Sequence, residues 1–124
     1  MVFLLTSCYS NMIYFDMDSQ SIVRCDGKIS RLYIESEDGK ELWHFSVLPK
    51  KEPSKFFSIR EINKNYSVKI LYSSGHIDLE NFKLRPEIEY KVTNSSSYDA
   101  AAGELLLKTD SNGYVIYADR TSCN

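Results

Sequence analysis

One segment, residues 82–94, constrains the fold more than any other part of the chain. From Leu84 to Val92 an apolar residue or proline occupies every second position, and charged residues occupy the positions between them. A period of two places the first set on one face of an extended strand and the charged side chains on the other. Because Pro86 is tolerated only at the start or edge of a strand, we expect the strand itself to begin near Glu87.

The same segment resembles a known structural motif. Leu84, Pro86 and Tyr90 follow the order leucine, proline and then a tyrosine leading into a strand. This order resembles the tyrosine corner of fibronectin type III and related immunoglobulin-like domains. The resemblance implies an all-β fold, a small immunoglobulin-like or fibronectin-III-like sandwich of about 7–9 strands. It implies nothing about function.

The remainder of the chain supports an all-β prediction. Alternating segments are separated by turn sequences, and the pairs Asp38-Gly39 and Asn112-Gly113 favour hairpins. Short strands at intervals of about ten residues are typical of a sandwich or a barrel. The single tryptophan, Trp43, is expected in the core, with a place in a ligand groove as the alternative.

The N-terminal residues resemble a lipoprotein signal. Residues 5–8, Leu-Thr-Ser-Cys, follow an uncharged apolar run and resemble the lipobox of bacterial lipoproteins. This resemblance implies cleavage before Cys8 and lipidation of its thiol. In lipoproteins an aspartate after the lipidated cysteine tends to hold the protein at the inner membrane, so Tyr9 at that position implies anchoring to the outer membrane. The apolar run is shorter than the roughly 7–15 residues of a usual signal and lacks Lys and Arg. A buried strand at residues 2–5 with an unpaired Cys8 is therefore the alternative.

Lipidation of Cys8 would leave the other two cysteines, Cys25 and Cys123, as an even pair. In an oxidising compartment such a pair forms a disulfide, which here would stabilise the fold by about 4–5 kcal/mol in the chain-entropy model. The alternative is a pair of reduced thiols in a cytosolic protein. A metal site is not favoured, because His44 and His76 lack the spacing of a metal pair.

Length and charge limit the organisation and the partners. A chain of 124 residues can bury one core. We expect residues 1–8 to be the remnant of a lipoprotein signal, residues 9–20 a tether or first strand, and residues 21–124 one sandwich domain. Because 15 basic and 17 acidic residues are interspersed, no basic face is expected and no nucleic-acid partner is predicted.

No stretch carries a catalytic signature. There is no nucleophile elbow, no phosphate-binding glycine loop and no zinc spacing, so we predict no cofactor and no enzymatic activity. Glu87 and Glu89 are expected on one strand face, as in a glycosidase pair, but Arg85 and Lys91 on the same face favour a solvated charged stripe. His44 is likewise expected to be an outward surface residue.

Residues 94–103 form the least regular stretch between two predicted strands, and residues 95–100 within it are the expected contact. Loops held by a rigid sheet commonly carry binding residues. We therefore take Ser96, Tyr98 and Asp99 as candidate partner-binding residues, with an ordinary connecting loop as the alternative.

The overall layout of a short apolar signal, a lipobox, one sandwich and a terminal cysteine resembles the immunity lipoproteins that accompany type VI secretion effectors. This resemblance implies a periplasmic protein, anchored to the outer membrane by its lipid alone, that neutralises a toxin or hydrolase by binding it. Two other classes stay open. One is a structural or assembly lipoprotein of the envelope that binds another envelope protein, and the other is a hydrolase without a recognised signature.

Overall fold

The computed structural model describes residues 10–71 and 79–124; Cys8 with the predicted lipobox, and also His76, lie outside them. Within the described residues the chain forms nine β-strands and one short 3₁₀-helix, Leu79–Asn81. The strands are β1 (Ile13–Asp16), β2 (Ser21–Arg24), β3 (Arg31–Ser36), β4 (Leu42–Val47), β5 (Phe56–Ser58), β6 (Tyr66–Ile70), β7 (Glu89–Asn94), β8 (Gly103–Thr109) and β9 (Val115–Ala118). The all-β prediction is confirmed.

The strands form two antiparallel sheets, as expected for a sandwich. The smaller sheet has the order β1-β2-β5 and the larger one the order β6-β4-β3-β7-β8-β9. Strand β2 is central in the smaller sheet, and β3 and β7 are central in the larger one. Strands β6 and β9 extend the larger sheet at its two edges.

The core lies between the sheets and is rich in aromatic rings. Trp43 is only 2% exposed, so its predicted place in the core is confirmed and the ligand-groove alternative is wrong. Phe45 of β4 meets Phe57 of β5 edge to face at 5.0 Å, which joins the larger sheet to the smaller one. Phe82 contacts both Trp43 and Phe45 in the same geometry. Such ring pairs contribute about 0.5–1.5 kcal/mol each beyond the area that they bury.

The tyrosine corner is present. Tyr90 is fully buried, and its hydroxyl accepts a hydrogen bond from the backbone N–H of Arg85 at 2.7 Å. Strand β7, however, begins at Glu89 and not near Glu87. Glu87 lies in the turn that follows Pro86, with a φ of 54°, and its N–H donates to Asp110 O outside the sheet ladder. The expected strand start was therefore early.

Local turn chemistry sets the two hairpins that the sequence predicted. Gly39 and Gly113 have φ angles of 73° and 81°, which residues with a side chain rarely adopt. They lie between β3 and β4 and between β8 and β9, respectively. Within the segment 9–20, strand β1 pairs with β2 from Ile13 to Asp16.

Candidate functional site

The three predicted partner-binding residues lie in the loop between β7 and β8, residues 95–102, which we call the contact loop. Tyr98 is 84% exposed and Asp99 is exposed as well. Ser96 is half-buried, and its hydroxyl accepts a hydrogen bond from the N–H of Ser30 at 2.8 Å. Ser96 therefore fastens the contact loop to the segment that leads into β3, whereas Tyr98 and Asp99 are accessible to a partner.

A buried asparagine holds the contact loop from below. Asn11 is 1% exposed, and its side-chain amide donates to the carbonyls of Ser97 at 2.9 Å and Ala101 at 3.1 Å. Its Oδ1 accepts from the N–H of Ser97 at 2.9 Å. The Asn94 side chain in turn donates to the Asn11 carbonyl at 3.0 Å. Since each such bond contributes about 1 kcal/mol, the loop backbone is fixed before any partner binds.

The end of the contact loop passes directly over the backbone of Asn11. A Cβ atom built on Gly103 would lie 1.9 Å from the Asn11 carbonyl oxygen. Only glycine therefore fits where β8 begins. The sequence did not reveal this role, because the contact joins two points far apart along the chain.

Arg24 is a second buried anchor at the same end of the sandwich. It is 4% exposed, and its Nε and Nη2 donate to the Ser10 carbonyl at 3.1 and 3.0 Å. Nη2 also donates to the Ser97 hydroxyl at 2.7 Å. Burial lowers the pKa of Arg24, and the charge of Asp26 opposes that effect. Carbonyl and hydroxyl acceptors thus satisfy a buried cation and tie β2 to the contact loop.

The predicted disulfide is present at this end. Cys25 directly follows β2 and is bridged to Cys123, with a Cα–Cα distance of 5.7 Å. The N–H of Cys25 donates to the Met12 carbonyl at 3.0 Å, next to Asn11. The bridge therefore fastens the C-terminal segment to the end of β2, close to the buried residues Arg24 and Asn11 that hold the contact loop.

Tyr98 is positioned by a cation on the outward face of the larger sheet. The guanidinium carbon of Arg31 lies 3.7 Å from the centroid of the Tyr98 ring. Arg31 Nε also donates to the Ser95 carbonyl at 3.1 Å, so one side chain holds both the loop backbone and the ring. A cation–π contact at an exposed site contributes about 0.5–1 kcal/mol. Tyr98 is therefore exposed but oriented.

The outward face continues from Arg31 to an aromatic pair and a lysine. Tyr33 and His44 stack with centroids 4.3 Å apart and planes 8° apart. Lys69 on β6 is the register partner of His44, which in turn pairs with Tyr33. We call Tyr98, Arg31, Tyr33, His44 and Lys69 together the outer strip.

His44 is less solvated than expected. It lies on the outward face, but it is half-buried, and its Nε2 has no hydrogen-bond partner among the residues that the structure describes. Desolvation lowers the pKa of His44, and the positive charges of Arg31 and Lys69 lower it further. The imidazole is consequently held in its neutral form over more of the pH range than a free histidine.

The carboxylates considered for catalysis do not lie on one strand. Glu87 belongs to the turn before β7, so the expected placement of Glu87 and Glu89 on one strand face is wrong. Glu89 instead pairs with Lys108 of β8 at 3.8 Å. Within residues 10–71 and 79–124, no group of His, Cys, Asp and Glu side chains could hold a metal ion.

Arg85 is also not part of the solvated charged stripe that the sequence predicted. Its guanidinium donates to both Asp38 oxygens at 3.0 and 2.9 Å and to Glu41 at 2.6 Å. A hydrogen bond from Ser36, one from the N–H of Lys40 and the pairing with Arg85 lower the pKa of Asp38 to about 2. These charges are satisfied within the fold.

A cleft of about 1100 Å³ lies elsewhere, beside β6. Its rim carries charges of both signs, with Arg60 and Lys64 beside Glu61 and Glu80. Leu79 and Phe82 also line it. The candidate site is therefore placed on the contact loop and the outer strip, where the described side chains are anchored.

The comparisons with known proteins leave the function to be argued from this site. No protein-family model matches the chain, and neither does a curated protein or a solved structure. No helix in the described ranges is long and apolar enough to span a membrane.

Proposed function

We propose that this protein is a periplasmic, lipid-anchored binding protein that neutralises a toxin or hydrolase by direct contact. The observation that carries the proposal is the exposed ring of Tyr98, presented on a loop whose backbone is hydrogen-bonded to buried Asn11. In the proposal Cys8 is the lipidated residue and holds the protein at the outer membrane.

The arrangement suits an inhibitor for an energetic reason. Binding energy concentrates in a few rigid aromatic or arginine anchors near the centre of an interface. Ordering a flexible side chain on binding costs about 0.5–1.5 kcal/mol, and a preorganised loop avoids much of that cost. Asn11 fixes the backbone of the contact loop, and Arg31 orients the ring of Tyr98. Both effects favour tight insertion into a partner's site.

The cysteines support the proposed compartment. A disulfide between Cys25 and Cys123 is typical of an oxidising environment, of which the bacterial periplasm is one. The resemblance of residues 5–8 to a lipobox points in the same direction.

Affinity for the product of the neighbouring gene tests the contact surface, because an immunity gene commonly lies beside that of its toxin. We expect Tyr98→Ala combined with Asp99→Ala to weaken binding at least tenfold in calorimetry, since the aromatic anchor is lost. Tyr114→Ala combined with Asp18→Ala changes the same residue types at exposed positions elsewhere and should leave the affinity unaltered. An unchanged affinity in the contact-loop variant would refute the proposed contact.

Intact mass tests the compartment separately. Expressed with its natural upstream region and taken from the membrane fraction, the protein should begin at Cys8 and carry the added lipid mass. Reduction should then add two hydrogens, from Cys25 and Cys123. An unprocessed chain with three free thiols would remove the periplasmic and lipid-anchored part of the proposal.

A further inference from the structure

The cations on the outward face of the larger sheet differ in whether they are paired with a carboxylate. Lys91 pairs with Glu104 at 3.3 Å, and Lys108 pairs with Glu89 at 3.8 Å, each across neighbouring strands β7 and β8. On β3 and β6, by contrast, Arg31 and Lys69 form no ion pair with a carboxylate among the residues that the structure describes. Neither Arg31 nor Lys69 therefore has a carboxylate in ion-pair contact within the described fold.

Both cations lie close enough to His44 for their charges to lower its pKa. Lys69 is the register partner of His44, and Arg31 lies two residues before Tyr33 on the same outward face of β3. Around the imidazole of His44, the outward groups are those of Tyr33, Arg31 and Glu35 on β3 and of Lys69 on β6. Asp99 of the contact loop makes no ion pair with either cation in the described part of the chain.

The donors of the outer strip are also incompletely used. Arg31 donates from Nε and Nη2 to the Ser95 carbonyl, which leaves its Nη1 group without a hydrogen-bond acceptor among the described residues. A carboxylate between Arg31 and Lys69 would supply a negative charge for both cations and an acceptor for Arg31 Nη1.

We propose that the outer strip binds a carboxylate from an acidic loop of the protein partner, held between Arg31 and Lys69 and flanked by the rings of Tyr33 and Tyr98. This inference rests on the proposed function and adds the chemistry of the partner's surface to it. The contact loop then supplies the aromatic anchor, and the outer strip selects a negatively charged partner by charge complementarity.

A peptide titration tests the strip without the partner. The probe is an acetylated and amidated hexapeptide of Asp and Glu, compared with the same peptide made from Asn and Gln, at low salt. The chain has only two histidines, so His44→Gln assigns the imidazole signals. We expect the acidic peptide alone to shift the His44 signal saturably and to raise the pKa of His44, because a nearby negative charge favours the imidazolium form.

Matched charge reversals locate the effect. Lys69→Glu should weaken binding of the acidic peptide at least fivefold, whereas Lys83→Glu makes the same charge change at an exposed residue outside the outer strip and should not. No shift of His44, or an equal loss in both variants, would overturn the proposal. So would an equal shift with inorganic phosphate, because the strip would then be a general anion site.

The two proposals can fail separately. With the neighbouring-gene partner, loss of binding in the Tyr98 and Asp99 variant together with full binding by Lys69→Glu would keep the contact loop and refute the carboxylate site. Loss in both variants, with affinity falling as salt is raised, would support both. Full binding by both variants would refute both.

Discussion

At both ends of the sandwich, side chains hold the backbone in place through hydrogen bonds. The two ends differ in whether their charged side chains are paired within the fold. At the end where β3 finishes and β7 begins, the hydroxyl of Tyr90 accepts from the Arg85 N–H. The Arg85 guanidinium forms ion pairs with Asp38 and Glu41. Side chains there anchor backbone, and the charges are paired within the fold.

At the opposite end, buried side chains also anchor backbone, but they present other groups to solvent. Asn11 and Arg24 bind the contact loop from inside the protein. Tyr98 stays exposed above Arg31, which lacks a carboxylate partner among the described residues. The comparison teaches that a loop is rigid when its backbone N–H and C=O groups are hydrogen-bonded to buried side chains, even where its own side chains are exposed.

The largest expected effect comes from the disulfide, which lies at the contact-loop end. Replacing both cysteines, Cys25→Ser and Cys123→Ser, should lower the free energy of unfolding by about 4 kcal/mol in the chain-entropy model, because the bridge closes a loop over most of the chain. Urea denaturation measures the change. Wild-type protein unfolded in reductant should match the double variant, and equal midpoints for the oxidised wild type and the variant would contradict the expectation.

The glycines at the two ends should respond unequally. Gly103→Ala forces a Cβ into the Asn11 carbonyl and should lower the free energy of unfolding by about 3 kcal/mol. Gly39→Ala meets nothing within 4 Å and suffers only from its positive φ, so about 1 kcal/mol is expected. Equal losses in urea denaturation would show that the close approach at Gly103 is not a constraint.

A change at the tyrosine corner should lower stability without changing partner binding by the contact loop. Tyr90→Phe leaves the Arg85 N–H without its acceptor and should cost about 1 kcal/mol in unfolding free energy. Affinity for the partner should not change, since the corner lies at the other end of β7. Tyr117→Phe, at an exposed ring, serves as the control and should leave stability unaltered. Weaker partner binding by Tyr90→Phe would mean that the two ends are coupled.

The smallest effects are those of pH, and the two regions should respond in different ranges. The pKa of His44 is lowered on folding, so its stabilising contribution is present above its ordinary value of 6.5 and is lost as pH falls through that value towards the folded one. Asp38, with its pKa lowered to about 2, loses its contribution only between 3.8 and about 2.

Thermal midpoints from pH 8 to pH 2 would detect the two losses. His44→Gln should remove the first loss and Asp38→Asn the second. A wild-type curve that His44→Gln leaves unchanged near neutral pH would show that the imidazole is solvated in the folded protein.

Much of the fold was predictable because its signals are local. Alternation located the strands, Asp38-Gly39 and Asn112-Gly113 located two hairpins, and a lone tryptophan marked the core. The error at Glu87 also has a local cause. The period of two continues through the turn at Pro86, so the pattern cannot show where the hydrogen-bonded ladder begins.

The site was only partly predictable, because its supporting contacts are distant in sequence. Tyr98 was found from the irregular loop, yet nothing near Asn11 or Gly103 in the sequence indicates that the two backbones touch. His44 was expected at the surface, but its place between Tyr33 of β3 and Lys69 of β6 depends on the register of three strands. Such register is set by the whole sheet and not by any single segment.

The central claim is that the contact loop is organised before it binds, and native-state hydrogen exchange at the Ser97 amide tests it most directly. Because this N–H donates to buried Asn11 Oδ1, we predict exchange at least about tenfold slower than in an unstructured chain. Asn11→Ala should release that protection and leave the amides of β7 slow. Exchange of Ser97 at the unstructured rate in the wild type would contradict the account.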